Sequence, residues 1–129
     1  MTKSKQLKRY EAKVKVLTTP FADMRVGQRM AIGTPELIRH IVKEIPRGSE
    51  WSLTELRQRL ARELKAEVAC PVTTAMYLRV AVESELASGR VRFGFPFWRA
   101  LSPQSPLFQK LGANAKKVIL ARRRKEGLD

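Results

Sequence analysis

A mainly α-helical domain with a short β wing and basic ends is what this sequence predicts, and three observations predict it. Two helix starts are headed by proline behind a plausible cap, Thr34-Pro35 and Cys70-Pro71. At a first helical position proline's fixed φ helps and its missing N–H costs nothing. Between them, Ser52-Leu53-Thr54-Glu55 is a capping box, in which Ser52 caps and Glu55 reaches back. After Gly89 the period changes from helical to alternating, with aromatics at every second position.

Taken in order, residues 1–15 form a basic arm carrying Lys3, Lys5, Lys8, Arg9, Lys13 and Lys15. Leu7, Tyr10, Val14 and Leu17 are roughly helix-spaced, so the arm reads either as a solvated tail or as a helix that forms on docking. Residues 18–33 contain Pro20, Gly27 and Gly33 and read as an irregular connector. Thr34 then opens a helix whose core stripe is Leu37, Ile38, Ile41, Val42 and Ile45, stopped by Pro46 and Gly48.

The next helix is predicted over 52–65. Leu53, Leu56, Leu60 and Leu64 face inward, Arg57, Arg59, Arg62 and Lys65 outward, and Trp51 staples onto Leu56. A third helix, 71–87, has Val72, Ala75, Met76, Val80 and Val82 as its apolar residues and Gly89 as its stop. Thr73, Thr74, Tyr77 and Ser84 give it a polar, nearly uncharged face. Such a face suits a groove-entering helix, and equally suits the central helix of a small bundle.

The run 90–101 reads as a short hairpin or wing, bent at Gly94 and Pro96. Its Phe93, Phe95, Phe97 and Trp98 are either a stacking surface for bases or core beneath the wing. Residues 102–112 read as a loop. Asn114 caps a last helix, 115–126, that carries Lys116, Lys117, Arg122, Arg123, Arg124 and Lys125. Helix, helix, helix, wing, helix is a winged-helix-like order, with 1–33 as arm and connector and 34–128 as the domain.

Composition narrows the function. Among 129 residues, Lys+Arg number 26 against 12 Asp+Glu, a net charge of +14. A surface so charged draws polyanions, nucleic acid first and an acidic membrane surface second. One cysteine excludes a disulfide framework, and no apolar run approaches the roughly 20 residues of a membrane span. The basic N-terminus has no apolar core behind it, so the expectation is a soluble, cytoplasmic protein, at the nucleoid if bacterial.

One cysteine and one histidine, His40, do not fill a structural zinc site, and no Gly-rich phosphate loop or paired carboxylates appear. The sequence therefore predicts no metal and no cofactor. Cys70 is the one candidate nucleophile, since a helix N-terminus favours a thiolate; the alternative is a small spacer at the cap.

The stretch from Ile45-Pro46-Arg47-Gly48 through Leu56, the helix from Pro71 to Val82, the run Pro96-Phe97-Trp98-Arg99-Ala100-Leu101 and the ending Arg124-Lys125-Glu126-Gly127 together resemble the DNA-binding domain of the alkylguanine-DNA alkyltransferases. Within that family they look like the alkyltransferase-like branch, and the resemblance covers 34–128. It implies a winged helix-turn-helix that enters the minor groove and turns an alkylated base out of the stack into a pocket.

The family's reactive signature is Pro-Cys-His-Arg. Here Pro96 and Arg99 match, while Phe97 stands at the nucleophile position and Trp98 at the histidine position. The glutamate that orients that histidine falls near Ile119, the motif tyrosine at Leu53, and the intercalating arginine near Ala75, beside Met76 and one turn before Arg79. The resemblance thus implies a non-enzymatic DNA-binding protein, in repair or damage recognition, with Phe97 and Trp98 at the pocket equivalent.

On this reading Thr73, Thr74, Tyr77 and Arg79 make groove contacts, and Arg47, Arg90, Arg92 and Arg99 contact phosphates. Double-stranded DNA is the expected partner. The alternatives are an RNA- or ribosome-associated basic protein, a stoichiometric alkyl acceptor using Cys70, or a module that docks on protein partners.

Overall fold

The structure is a computed structural model that describes residues 11–129. Its described part comprises strand β1 (Lys13–Val16), strand β2 (Arg29–Ile32), helices α1 (Pro35–Val42) and α2 (Leu53–Glu63), strand β3 (Val68–Ala69) and helix α3 (Pro71–Ala87). A 3-10 turn (Phe97–Ala100) and helices α4 (Pro106–Lys110) and α5 (Ala113–Lys125) complete it. The chain is mainly helical. None of these helices is long and apolar enough to cross a membrane.

The helix starts follow their caps. Thr34 Oγ1 accepts from Leu37 N at 3.0 Å, and both halves of the Ser52–Glu55 box form. Cys70 Sγ accepts from Thr73 N at 3.5 Å, with Pro71 at the first position of α3. α1 and α2 both pack on α3, and Ile38, Ile41, Leu56, Leu60, Leu78 and Val82 are fully buried between them.

The N-terminal third departs from the expected arm and connector. Residues 1–10, which hold much of the basic arm, lie outside the described residues. Lys13–Val16 is a strand, as its Lys-Val-Lys-Val alternation suits a period of two. It pairs antiparallel with β2, with Val14 opposite Ala31, and β2 pairs parallel with β3, with Ala31 opposite Ala69. The α1–α2 pair is thus the crossover between β2 and β3. The expected irregular connector contributes β2, and Ala31 is fully buried. A second, smaller cluster of Leu17, Met24, Met30 and Cys70 ties the hairpin to the start of α3.

Three further expectations are corrected. The wing expected over 90–101 has no strand. Pro96 cannot donate to a ladder, and Phe93, Phe95, Phe97 and Trp98 pack on one another as a cluster instead of alternating across a sheet. Phe95 and Phe97 are core, at 2% and 0% exposure. The loop expected over 102–112 contains α4, capped by Ser105 Oγ accepting from Phe108 N at 3.3 Å. The last helix starts at Ala113 behind Gly112, so Asn114 is a first-turn residue and not the cap.

The first two turns of α3 face differently from the expected pattern, while Val82 is buried as expected. Val72 and Met76 are 59% and 47% exposed, while Thr74, Leu78, Ala81, Val82 and Glu85 are buried. Apolar residues lie all around this helix, so no stripe selects the inner face. Thr74 can go inside because its hydroxyl donates to the Cys70 carbonyl at 2.6 Å. Glu85 can go inside because Arg39 and the Gly94 N–H meet its carboxylate.

Candidate nucleic-acid interface

The C-terminal end of α5 is held by two inward-turned arginines. Arg99 grips Glu126 through Nε at 2.9 Å and Nη2 at 2.9 Å, and its Nη1 donates to the Ile45 carbonyl at 2.8 Å. Glu126 also accepts from Trp98 Nε1 at 2.8 Å and from Gly48 N at 3.0 Å. Burial alone would raise the Glu126 pKa. The hydrogen bonds from Arg99, Gly48 and Trp98, with the Arg99 charge, overcome it and bring the carboxyl to about 2. Arg123, 1% exposed, donates to the Trp98 carbonyl at 3.0 Å, to Glu50 at 2.7 Å and to Asp129 at 2.7 Å.

These contacts set the surface charge. Glu50, Glu126 and Asp129, the carboxylates at this end of the molecule, are committed to Arg99 and Arg123. Arg47, Arg90, Arg92, Arg122, Arg124 and Lys125 form no ion pair among the described residues. The fold brings them together. Gly48, next to Arg47, touches Glu126 at the end of α5. Arg122 lays its guanidinium 4.9 Å from the Phe93 ring centroid and 5.1 Å from that of Trp98, which places α5 beside the loop carrying Arg90 and Arg92.

The residues assigned to DNA from the sequence divide sharply. Arg47, Arg90 and Arg92 are exposed. Arg99 is not a phosphate contact: its side chain is 14% exposed and its guanidinium is consumed by Glu126 and Ile45. Thr74 is not a groove contact, being fully buried. Thr73 is half-buried, and its Oγ1 is enclosed without a hydrogen-bond partner among the described residues. Tyr77 is half-buried against the core. Arg79 sits on the surface of α3 paired with Glu83 at 3.2 Å. The cationic surface therefore lies on α5 and the 46–49 and 88–94 loops more than on α3.

Arg123 and Glu126 were not singled out as a pair in the sequence, and Arg123 reads there as one of the basic residues of the last helix. A signal was present: Ala115, Ile119 and Arg123 are four residues apart, and all three are buried. Ile119, where the resemblance places an orienting glutamate, is core. The carboxylate that meets Trp98 comes from Glu126 instead.

Phe97 and Trp98 are interior, at 0% and 7% exposure, so the pocket-equivalent positions hold core side chains. A groove of about 360 Å3 that neither of them lines is bordered by Trp51, Leu53, Ala75, Leu101, Leu107 and Lys110 among others. It joins Leu53 with Ala75, the two positions where the resemblance places tyrosine and arginine. Cys70 is 4% exposed, its sulfur facing the Thr73 N–H. His40 is exposed on α1. Comparison of the chain with protein-family models, with curated proteins and with solved structures returns no match.

Proposed function

We propose that this protein is a non-enzymatic nucleic-acid-binding protein, an alkyltransferase-like winged helix whose partner is duplex DNA. In this reading α1, α2 and α3 form the helical part and the 88–94 loop takes the place of the wing. The observation that carries it is the charge arrangement just described, in which buried arginines neutralise the local carboxylates and leave Arg47, Arg90, Arg92, Arg124 and Lys125 facing water on one end of the fold. Phosphates meet such a surface by counterion release, with no sequence information required.

Nothing at the reactive-signature position supports chemistry. Phe97 has only carbon in its side chain, and Trp98 offers an N–H already given to Glu126. Cys70, the alternative acceptor, is buried. The groove between Leu53 and Ala75 supports a place for an extruded base and hence damage recognition within the same reading.

The test is fluorescence-anisotropy binding to matched duplexes with and without an alkylated guanine, at 50 and 200 mM salt, with structured RNA as competitor. Five phosphate contacts predict a loss of roughly 500-fold in affinity between those salt concentrations. A flat salt response removes the reading. Lesion preference that persists at the higher salt assigns the groove to a base, and stronger competition by RNA reassigns the partner.

A further inference from the structure

The loop between α3 and the 3-10 turn carries a feature that backbone-phosphate binding does not use. Val91 is 91% exposed, whereas the next most exposed large apolar side chain among the described residues, Val72, is at 59%. It stands between two exposed arginines, Arg90 and Arg92. An apolar tip of this kind on a floppy loop would carry no information, but this loop is firmly mounted. Gly89 turns the chain out of α3 at φ +72°, a backbone state that favours glycine. Ser88 Oγ donates to the Glu85 carbonyl at 2.6 Å and accepts from Arg90 N at 3.3 Å. On the return side Gly94 N donates to Glu85 Oε2 at 3.0 Å, and Arg39 Nη1 holds the other oxygen of Glu85 at 2.7 Å. Phe93 is stacked edge-on against Phe97 at 5.2 Å, with Arg122 over its ring.

We propose that the tip Arg90-Val91-Arg92 enters a narrow groove of duplex DNA, with Val91 against base edges and the two arginines on the phosphates of opposite strands. This rests on the nucleic-acid reading above and names the element that makes the contact. The dimensions agree. Two residue steps span at most about 7 Å, and the minor groove is about 6 Å wide, against about 12 Å for the major groove. A rigid apolar tip flanked by cations matches the interior of a narrow groove between two rows of phosphate, where potential is most negative and small apolar side chains insert. An anionic lipid surface also offers phosphate over an apolar interior. One valine is too little apolar surface to hold a protein there, so the duplex is favoured.

The experiment uses the full chain, an A·T-rich 24-base-pair duplex, a polyamide that fills the minor groove, and the R90A/R92A double variant. Both side chains are exposed, but Arg90 lies near Glu85 and helps to hold its carboxyl charged. Thermal melts of R90A/R92A and of R92A alone are therefore run beside the binding, and R92A alone, expected to lower the slope by about 1, keeps folding out of the comparison. The expected result is that the polyamide displaces the parent protein and that R90A/R92A lowers the slope of log affinity against log salt by about 2. Steep salt-dependent binding that R90A/R92A leaves unchanged overturns this proposal while the DNA reading stands. Failure of the polyamide to displace the parent overturns the groove assignment in the same way. Absence of salt-dependent duplex binding overturns both, and capture by phosphatidylglycerol vesicles in that case moves the tip to lipid.

Discussion

Replacing Glu126 with glutamine tests whether the clasp around Trp98 is as central as its geometry indicates. The carboxylate is 3% exposed and accepts hydrogen bonds from Arg99, Trp98 and Gly48. Its pKa falls from 4.5 to about 2, and at about 1.4 kcal/mol per pKa unit the folded state favours the charged form by about 3 kcal/mol. The glutamine keeps the shape but leaves Arg99 without a counter-charge, and losing one partner of a buried pair costs roughly 3–5 kcal/mol. A loss of about 3 kcal/mol at pH 7 is expected, read as a lower urea midpoint and a melting temperature reduced by roughly 10 °C.

The pH dependence makes the test sharper. Glu126 has a folded pKa below its unfolded one, so its contribution is complete above about 4.5 and fades as pH falls towards 2. The stability gap between parent and Glu126→Gln should therefore be constant from pH 7 to about 5 and shrink steadily below. Equal urea midpoints at pH 7, or a gap that does not change down to pH 2.5, would refute the clasp.

Two other substitutions follow from the same packing. A Cβ on Gly94 would lie 2.8 Å from Arg39 Nη2 and 3.2 Å from Glu85 Oε1. Gly94→Ala should therefore prise apart the pair that seats the 88–94 loop, cost about 1–3 kcal/mol in a urea melt and weaken duplex binding alongside. Cys70 is buried and caps α3, so a thiol reagent should label it only in denaturant, and Cys70→Ala should cost roughly 0.5–2 kcal/mol. Labelling of the native protein at the rate of the unfolded chain, or a mass gain after incubation with alkylated DNA, would return Cys70 to the role of acceptor.

How much of the candidate site could be read in advance depends on the range of the forces involved. Arg47 and Arg90 were legible as exposed because each flanks a glycine in a turn, and Arg92 because it lies in the same short loop. Arg99 was not. Its neighbours Trp98 and Ala100 are local, but the groups that turned it inward, Ile45 and Glu126, are 54 and 27 residues away. Thr74 was misplaced for a related reason. A threonine on a helix can face either way once its hydroxyl is satisfied by the preceding turn, and only the neighbours decide.

The sequence by itself determined where α1, α2 and α3 begin, because caps, prolines and capping boxes act within four residues. It also determined the strong positive charge, which is a sum and needs no geometry. The tertiary structure decided which way those helices face. It turned α3 with Val72 and Met76 outward, drew Phe95 and Phe97 into the core in place of a wing strand, and paired β1 with β2. It also chose which cations are spent on internal carboxylates and which remain facing water. These outcomes rest on packing and desolvation between distant segments, where the cost of an unpaired buried charge exceeds any local preference.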